Sequence, residues 1–369
     1  MNPIVTAYGE GTSLADHKRR AGQRMIIGLF GHAVDDDFRA LCQEIRPAGF
    51  ILFQRNVAEP AQVRDLNREL ASLCDPAWPA FLSVDQEGGR VQRVRTPATV
   101  WPPMRAVGRS SNLTNRVSKA MAIELRAMGF NLNFAPVADV DSNPKNPVIG
   151  DRSFGESPAE VAKHVVAFIR GHQDNGVIAC AKHFPGHGDT LLDSHHDLPI
   201  VEREEPDLRQ TELVPFVAAV NAGVGTVMSA HVVYPAWDED RPATMSTKVL
   251  RRLLREELKF DGVVFSDDMD MKAMYGRFPL DEQVTLATAA GVDLFLCCNN
   301  PKSQVETFEE LVRAQEQHSW FEKQSRDSVK RAMALRERFF VPRQVPELSE
   351  VGKMEHTALA EEVAHRGLG

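Results

Sequence analysis

No stretch of this 369-residue chain approaches the roughly 18 consecutive apolar residues of a membrane-spanning helix, and no low-complexity tract interrupts it. A helical membrane protein is thereby excluded, and disorder is expected only at the ends. Basic charge is not in excess: 43 Lys and Arg against 51 Asp and Glu leave a formal net charge of −8. A phosphate backbone is captured mainly by clustered cations, so nucleic acid is not an expected partner, and neither is a membrane. An export signal is missing too, because Asp16, His17 and Lys18 fall where its apolar core would lie. Cysteine is sparse, and the five present (Cys42, Cys74, Cys180, Cys297, Cys298) are an odd number at irregular spacing. Three of them sit in apolar runs, as reduced packing residues do. Together these absences point to a cytoplasmic address.

What is present is a globular composition, 43% hydrophobic and 25% charged. Eight short apolar runs recur: RMIIGLF from Arg24, GFILF from Gly49, FLSVDQE from Phe81, NLNFAPVADV from Asn131, GVIACAKHF from Gly176, VGTVMSAHVVY from Val224, DGVVFSDDM from Asp261 and GVDLFLCC from Gly291. Each is too short for an ordinary helix and too evenly apolar for a half-exposed strand, so each reads as a parallel strand covered on both faces. Amphipathic segments between them (35–45, 60–73, 115–128, 158–172, 206–220, 280–289) read as crossover helices. The alternation suits a (β/α)8 TIM barrel or a doubly wound sheet. Polar clusters end several runs, at 85–93, 139–152, 182–197, His231, 267–270 and 299–300. A barrel gathers all such ends on one face, so an α/β single-domain TIM barrel is expected. Its bounds are placed at 23–341, with an N-terminal extension at 1–22 and a tail at 342–369.

The densest cluster, KHFPGHGDTLLDSHHDLP (182–199), holds four His, three Asp and one Lys in eighteen positions. His183 and His187 have metal-ligand spacing, but Pro185, Gly186 and Gly188 argue against a helix there. A metal-dependent hydrolase, structural histidines, and acid/base catalysis all remain open on these residues alone. For acid/base work, Asp193 can orient His195 and raise its basicity through one hydrogen bond. Gly186 and Gly188 suggest backbone freedom, so that this loop swings over a substrate. In VVFSDDMDM, three carboxylates crowd one strand end. Asp267 lies nearest the mouth and is suited to attack or stabilise an anomeric carbon, while Asp268 or Asp270 is expected to cap the next helix. In SVDQEGGRVQRV, Asp85 can accept hydrogen bonds from vicinal sugar hydroxyls, and Arg93 can pair with a carboxylate or hold the loop. Arg152 in GDRSFG offers the same chemistry. A purely structural Arg–Asp tie fits these stretches as well.

In order along the chain, ILFQRN, VDQEGGRVQR, FAPVADV, GDRSFG, KHFPGHGDT with DSHHDLP, MSAHVVYP, FDGVVFSDDM and CCNN make the sequence resemble glycoside hydrolase family 3. Within it, the resemblance is to single-domain β-N-acetylglucosaminidases of bacterial peptidoglycan recycling. It implies Asp267 as nucleophile and Asp193 with His195 as the acid/base dyad. Asp85, Arg93, Arg152, Lys182 and His183 would grip N-acetylglucosamine, and no cofactor or metal would be required. The implied partner is a small-molecule carbohydrate, with N-acetylglucosamine linked to anhydro-N-acetylmuramic acid as the natural substrate. Asp270 stands where many relatives have Ser or Asn, and His196 doubles the dyad histidine, so a pH optimum cannot be carried over. Phosphorolysis, β-glucosidase activity, a metal-dependent barrel hydrolase and a non-catalytic sugar-binding barrel are the competing readings.

Overall fold

The computed structural model describes residues 11–75, 77–109, 112–191 and 198–367. Eight parallel strands close a barrel: β1 Met25–Gly28, β2 Gly49–Leu52, β3 Phe81–Val84, β4 Leu132–Asn133, β5 Ile178–Phe184, β6 Thr226–Ser229, β7 Val263–Asp268 and β8 Leu294–Cys297. Each neighbours the next in chain order. β8 closes on β1 with Met25 opposite Phe295 and Ile26 opposite Leu296. The eight apolar runs are these eight strands.

Their continuous hydrophobicity follows from burial on both sides. Successive side chains of a strand point to opposite faces. Ile26, Phe81, Leu132, Ile178, Met228, Val263, Phe265, Leu294 and Leu296 fill the barrel interior. Alternating with them, Met25, Ile27, Phe50, Leu82, Ala179, Val227, Val264 and Phe295 pack outward against the helices. Inside, the rings of Phe134 and Phe265 meet edge to face at 5.2 Å.

The crossover helices start and stop on ordinary signals. Asp35 caps Asp36–Ile45 by accepting the Phe38 N–H, and prolines open Pro60–Ser72 and Pro158–Gln173 at positions that need no donor. Gly291, at φ 119°, ends Leu280–Ala290 in a conformation closed to most other residues. The 206–220 segment is two helices, Glu205–Gln210 and Leu213–Asn221, and a wide π-type helix, Thr247–Glu257, joins β6 to β7.

The face opposite the strand C-termini is tied by buried charge. The Arg24 guanidinium donates to the Asp293 and Val292 carbonyls, Ser325 and Thr288. Asp293 is fully buried and takes Arg255 on one oxygen at 2.7 Å and Arg331 on the other at 2.8 Å, besides the Val264 N–H. Arg336 donates to the carbonyls of Pro79 and Ala48 and lies over the Phe81 ring at 4.3 Å, with the Phe340 ring at Phe81's edge. Both flanks of the barrel carry packed helices. In Leu14–Gly22, buried Arg20 donates to Gln315 and Glu322. In the stretch expected as a tail, Met354–Gly367 buries His356, Leu359, Ala360 and Val363, with His356 on Glu124 at 2.8 Å.

Removing one partner of a buried ion network leaves the others charged and unpaired. Asp293→Ala should therefore cost about 3–5 kcal/mol of stability, read as a lowered urea midpoint. A loss under about 1 kcal/mol would mean that Arg255 and Arg331 find water instead.

Candidate active site

Strand parity delivers the polar residues to the mouth. Phe81, Ile178 and Val263 point into the barrel, and the residues four positions further on, Asp85, Lys182 and Asp267, open onto one cavity of about 270 Å³. Glu87, Arg93, Arg152, His183, His187, Asp268 and Asn299 complete its polar wall. Ile51, Met228 and Leu296 form an apolar floor. Polar edges around an apolar base suit a pyranose, which has hydroxyls at its rim and C–H bonds on its faces.

The wall is a chain of ion pairs. Lys182 Nζ lies 2.8 Å from Asp85 Oδ1 and 2.6 Å from Glu87 Oε1. Arg152 donates to both oxygens of Glu87, at 2.8 and 2.9 Å. Arg93 reaches Asp85 Oδ2 at 3.3 Å. Burial pushes the Glu87 carboxyl up, but Arg152 and Lys182 outweigh it and hold the group well below the usual carboxylate range. Burial likewise disfavours the Lys182 ammonium, and Asp85 and Glu87 more than restore it. Glu87 and Lys182 are thus both charged at neutral pH.

His183 is fixed by Asp139. The carboxylate accepts from His183 Nδ1 at 2.7 Å and from the His183 backbone N–H at 3.0 Å, so Nδ1 is a donor; it also accepts the His187 N–H at 2.7 Å. His187 has Thr190 Oγ1 at 2.9 Å from Nδ1, and burial lowers its imidazole to about 4, leaving it neutral. Among the described residues, no three His, Cys, Asp or Glu are grouped to hold a metal ion. Asp193, His195 and His196 lie outside the described residues.

Two expectations are corrected. Neither Asp268 nor Asp270 caps a helix, since the next one, Leu280–Ala290, begins behind Pro279. Both instead bind the end of β8: Asp268 accepts from the Cys298 N–H and the Asn299 amide, and Asp270 from the Asn299 N–H. Gly186 and Gly188 are not a source of freedom in this structure. A Cβ on Gly188 would meet the Val140 carbonyl oxygen at 1.6 Å, and one on Gly186 would meet Glu212 at 2.6 Å. Tyr234 holds the Gly186 carbonyl at 2.5 Å, and Asn146 holds those of His187 and Gly188. These glycines permit close packing, and residues 186–190 form a clamped stem.

Sequence reasoning missed Glu87 and Asp139. Glu87 had a signal, since it follows Asp85 by two residues and precedes Gly88 and Gly89, whose positive φ values turn the loop back over the mouth. Asp139 heads the polar cluster at 139–152, but the sequence did not show which residue it would hold. His231, just past the end of β6, is buried, with Thr244 on Nδ1 at 2.8 Å and the Asp268 carbonyl 3.2 Å from Nε2.

A closed parallel barrel with carboxylates and cations converging at the strand C-termini is the layout of a TIM-barrel hydrolase. Comparison with known proteins makes the class specific. Residues 21–335 match the description "Glycosyl hydrolase family 3 N terminal domain", and the chain belongs to that family of glycoside hydrolases. It is 42% identical over 295 residues to a beta-hexosaminidase of Thiobacillus denitrificans, covering 78% of this chain and 81% of the relative. Among solved structures it resembles the family 3 beta-N-acetylglucosaminidase from Paenibacillus sp. str. FPU-7, with a TM-score of 0.88, 37% identity, and 95% and 68% of the two chains covered. It also resembles native NagZ from Neisseria gonorrhoeae, with a TM-score of 0.77, 29% identity, and 93% and 98% covered.

Glu212, beneath the clamped stem, is a titration probe of that packing. Burial pushes its carboxyl up to about 8, against one hydrogen bond from Ser142. An acid whose folded pKa is raised stabilises the fold fully below its unfolded value, near 4.5, and that stability is lost as pH rises toward 8. Glu212→Gln does not titrate. Its melting temperature relative to wild type should therefore climb steadily from pH 5 to pH 8, and a flat difference would place the carboxyl in contact with water.

Proposed function

We propose that the chain is a retaining, exo-acting β-N-acetylglucosaminidase in which Asp267 is the nucleophile and His195, oriented by Asp193, is the acid/base. The observation that carries this reading is that Asp267 shares one small cavity with Asp85, Arg93, Arg152, Lys182 and His183. The cavity is at the small end of ligand sites and suits a single terminal sugar. The names of the relatives, beta-hexosaminidase and beta-N-acetylglucosaminidase, point to N-acetylglucosamine as that sugar.

In the first step an Asp267 carboxylate oxygen forms a bond to the anomeric carbon as the bond to the leaving oxygen breaks. That oxygen takes the proton of His195. In the second, water attacks the anomeric carbon, gives its proton to neutral His195, and the Asp267 ester bond breaks. Two inversions give net retention. Asp85 and the cations beside it hold the hydroxyls and acetamide through charge-assisted hydrogen bonds. The natural substrate on this reading is N-acetylglucosamine β-linked to anhydro-N-acetylmuramic acid, with or without peptide, met in the cytoplasm.

The test is turnover of aryl β-N-acetylglucosaminide against aryl β-glucoside, with and without chelator, and with the product anomer followed by NMR. The expected result is preference for the N-acetylglucosaminide, indifference to chelator, and β product first. Asp267→Ala should lower kcat by about 10⁴-fold or more. His195→Ala should slow the second step more than the first when the leaving group is good. α product first, or near-normal turnover by Asp267→Ala, would overturn the proposal.

A further inference from the structure

Asp267 sits on an irregularity of β7. Phe265 pairs with Leu294 and Asp268 with Leu296, so Ser266 and Asp267 of β7 stand opposite the single residue Phe295 of β8. The Leu296 N–H is taken by the Ser266 hydroxyl. A bulge of this kind re-aims a side chain, and it also removes the regular ladder that would otherwise fix the local backbone. The Met269 N–H on the Leu296 carbonyl at 2.9 Å holds it in part, and the side chain of Asp268 adds the rest of the tie to β8. Its Oδ1 accepts the Cys298 N–H at 3.1 Å and the Asp270 N–H at 3.2 Å, and its Oδ2 accepts the Asn299 amide at 2.9 Å. So anchored, the residue brackets its neighbour. The Asp268 N–H donates to Asp267 Oδ1 at 2.8 Å, and the Asp268 carbonyl accepts from buried His231 at 3.2 Å.

We propose that Asp268 is a positioning residue for the nucleophile: its carboxyl closes the β7 bulge onto β8, and this aims the backbone N–H that holds one oxygen of Asp267. The inference rests on the reading of Asp267 as nucleophile. Burial, Asp270 and Asp267 push the Asp268 carboxyl up to about 7, so an amide is a close replacement for its neutral form. Asn299 is the exposed part of the anchor, at the rim of the same cavity.

The experiment is single-turnover kinetics of the full chain with an aryl β-N-acetylglucosaminide carrying a good leaving group, alongside KM and inhibition by N-acetylglucosamine. Misplacing a reacting group by about 1 Å costs on the order of 100-fold. Asp268→Ala should slow the first step by about that factor while KM and N-acetylglucosamine inhibition stay near wild type. Asp268→Asn should recover most of the rate, and Asn299→Ala should lose several-fold in the first step with its fold intact. A first step at the wild-type rate in both alanine variants, or a loss confined to KM, overturns the inference. If Asp268→Ala does not fold, Asn299→Ala decides alone. Asp267→Ala separates the two readings: activity in that variant defeats the nucleophile assignment. An inactive Asp267→Ala beside unaffected Asp268 and Asn299 variants defeats only the positioning role.

Discussion

Lys182 is the fixed point of the site. Its ammonium is 3% exposed, lies between Asp85 and Glu87, and joins β5 to the loop that follows β3. A charge so far from water is stable only with close partners of opposite sign, and each partner has a second commitment: Glu87 to Arg152, Asp85 to Arg93. The network therefore behaves as one rigid piece bonded to three separate segments. A sugar hydroxyl entering the cavity meets donors and acceptors already in place, so little reorganisation remains for the reaction to supply.

The barrel keeps its two tasks on opposite faces. At the strand N-termini, Arg24, Asp293, Arg255, Arg331 and Arg336 form buried ties to backbone and to one another, beside the packed rings of Phe81 and Phe340. None of these groups lines the cavity. Changes there act on stability, whereas changes at the mouth act on chemistry, as expected for this architecture.

The fold was legible because burial on both faces leaves strands uniformly apolar, a pattern local enough to read along the chain. The site was legible where its residues end a strand, as with Asp85, Lys182 and Asp267. It was not legible where function depends on contacts between distant segments. Asp139 matters because an isolated bridge brings Val137 beside Lys182 and so delivers its carboxylate to His183. Gly186 and Gly188 read as a hinge because glycine allows motion, yet the Val140 carbonyl and Glu212, remote in sequence, turn the same residues into a tight stem. Asp268 read as a helix cap because caps are local, while its partners Cys298 and Asn299 come from the next strand.

The balance of charge at the mouth bears on why so many carboxylates are tolerated there. Asp85, Glu87 and Asp267 face Arg93, Arg152 and Lys182, and Asp268 adds a fourth acid that burial and its neighbours keep on the edge of ionisation near neutral pH. Each of the three cations is paired with Asp85 or Glu87. On the proposed mechanism, a substrate that is neutral on entry gains little from the Asp267 carboxylate, whereas one that becomes positive at its anomeric carbon as its leaving oxygen departs gains steadily. On that mechanism, crowding that destabilises the resting site becomes attraction at the top of the barrier, and the β7 bulge that carries Asp267 aims that attraction at one atom.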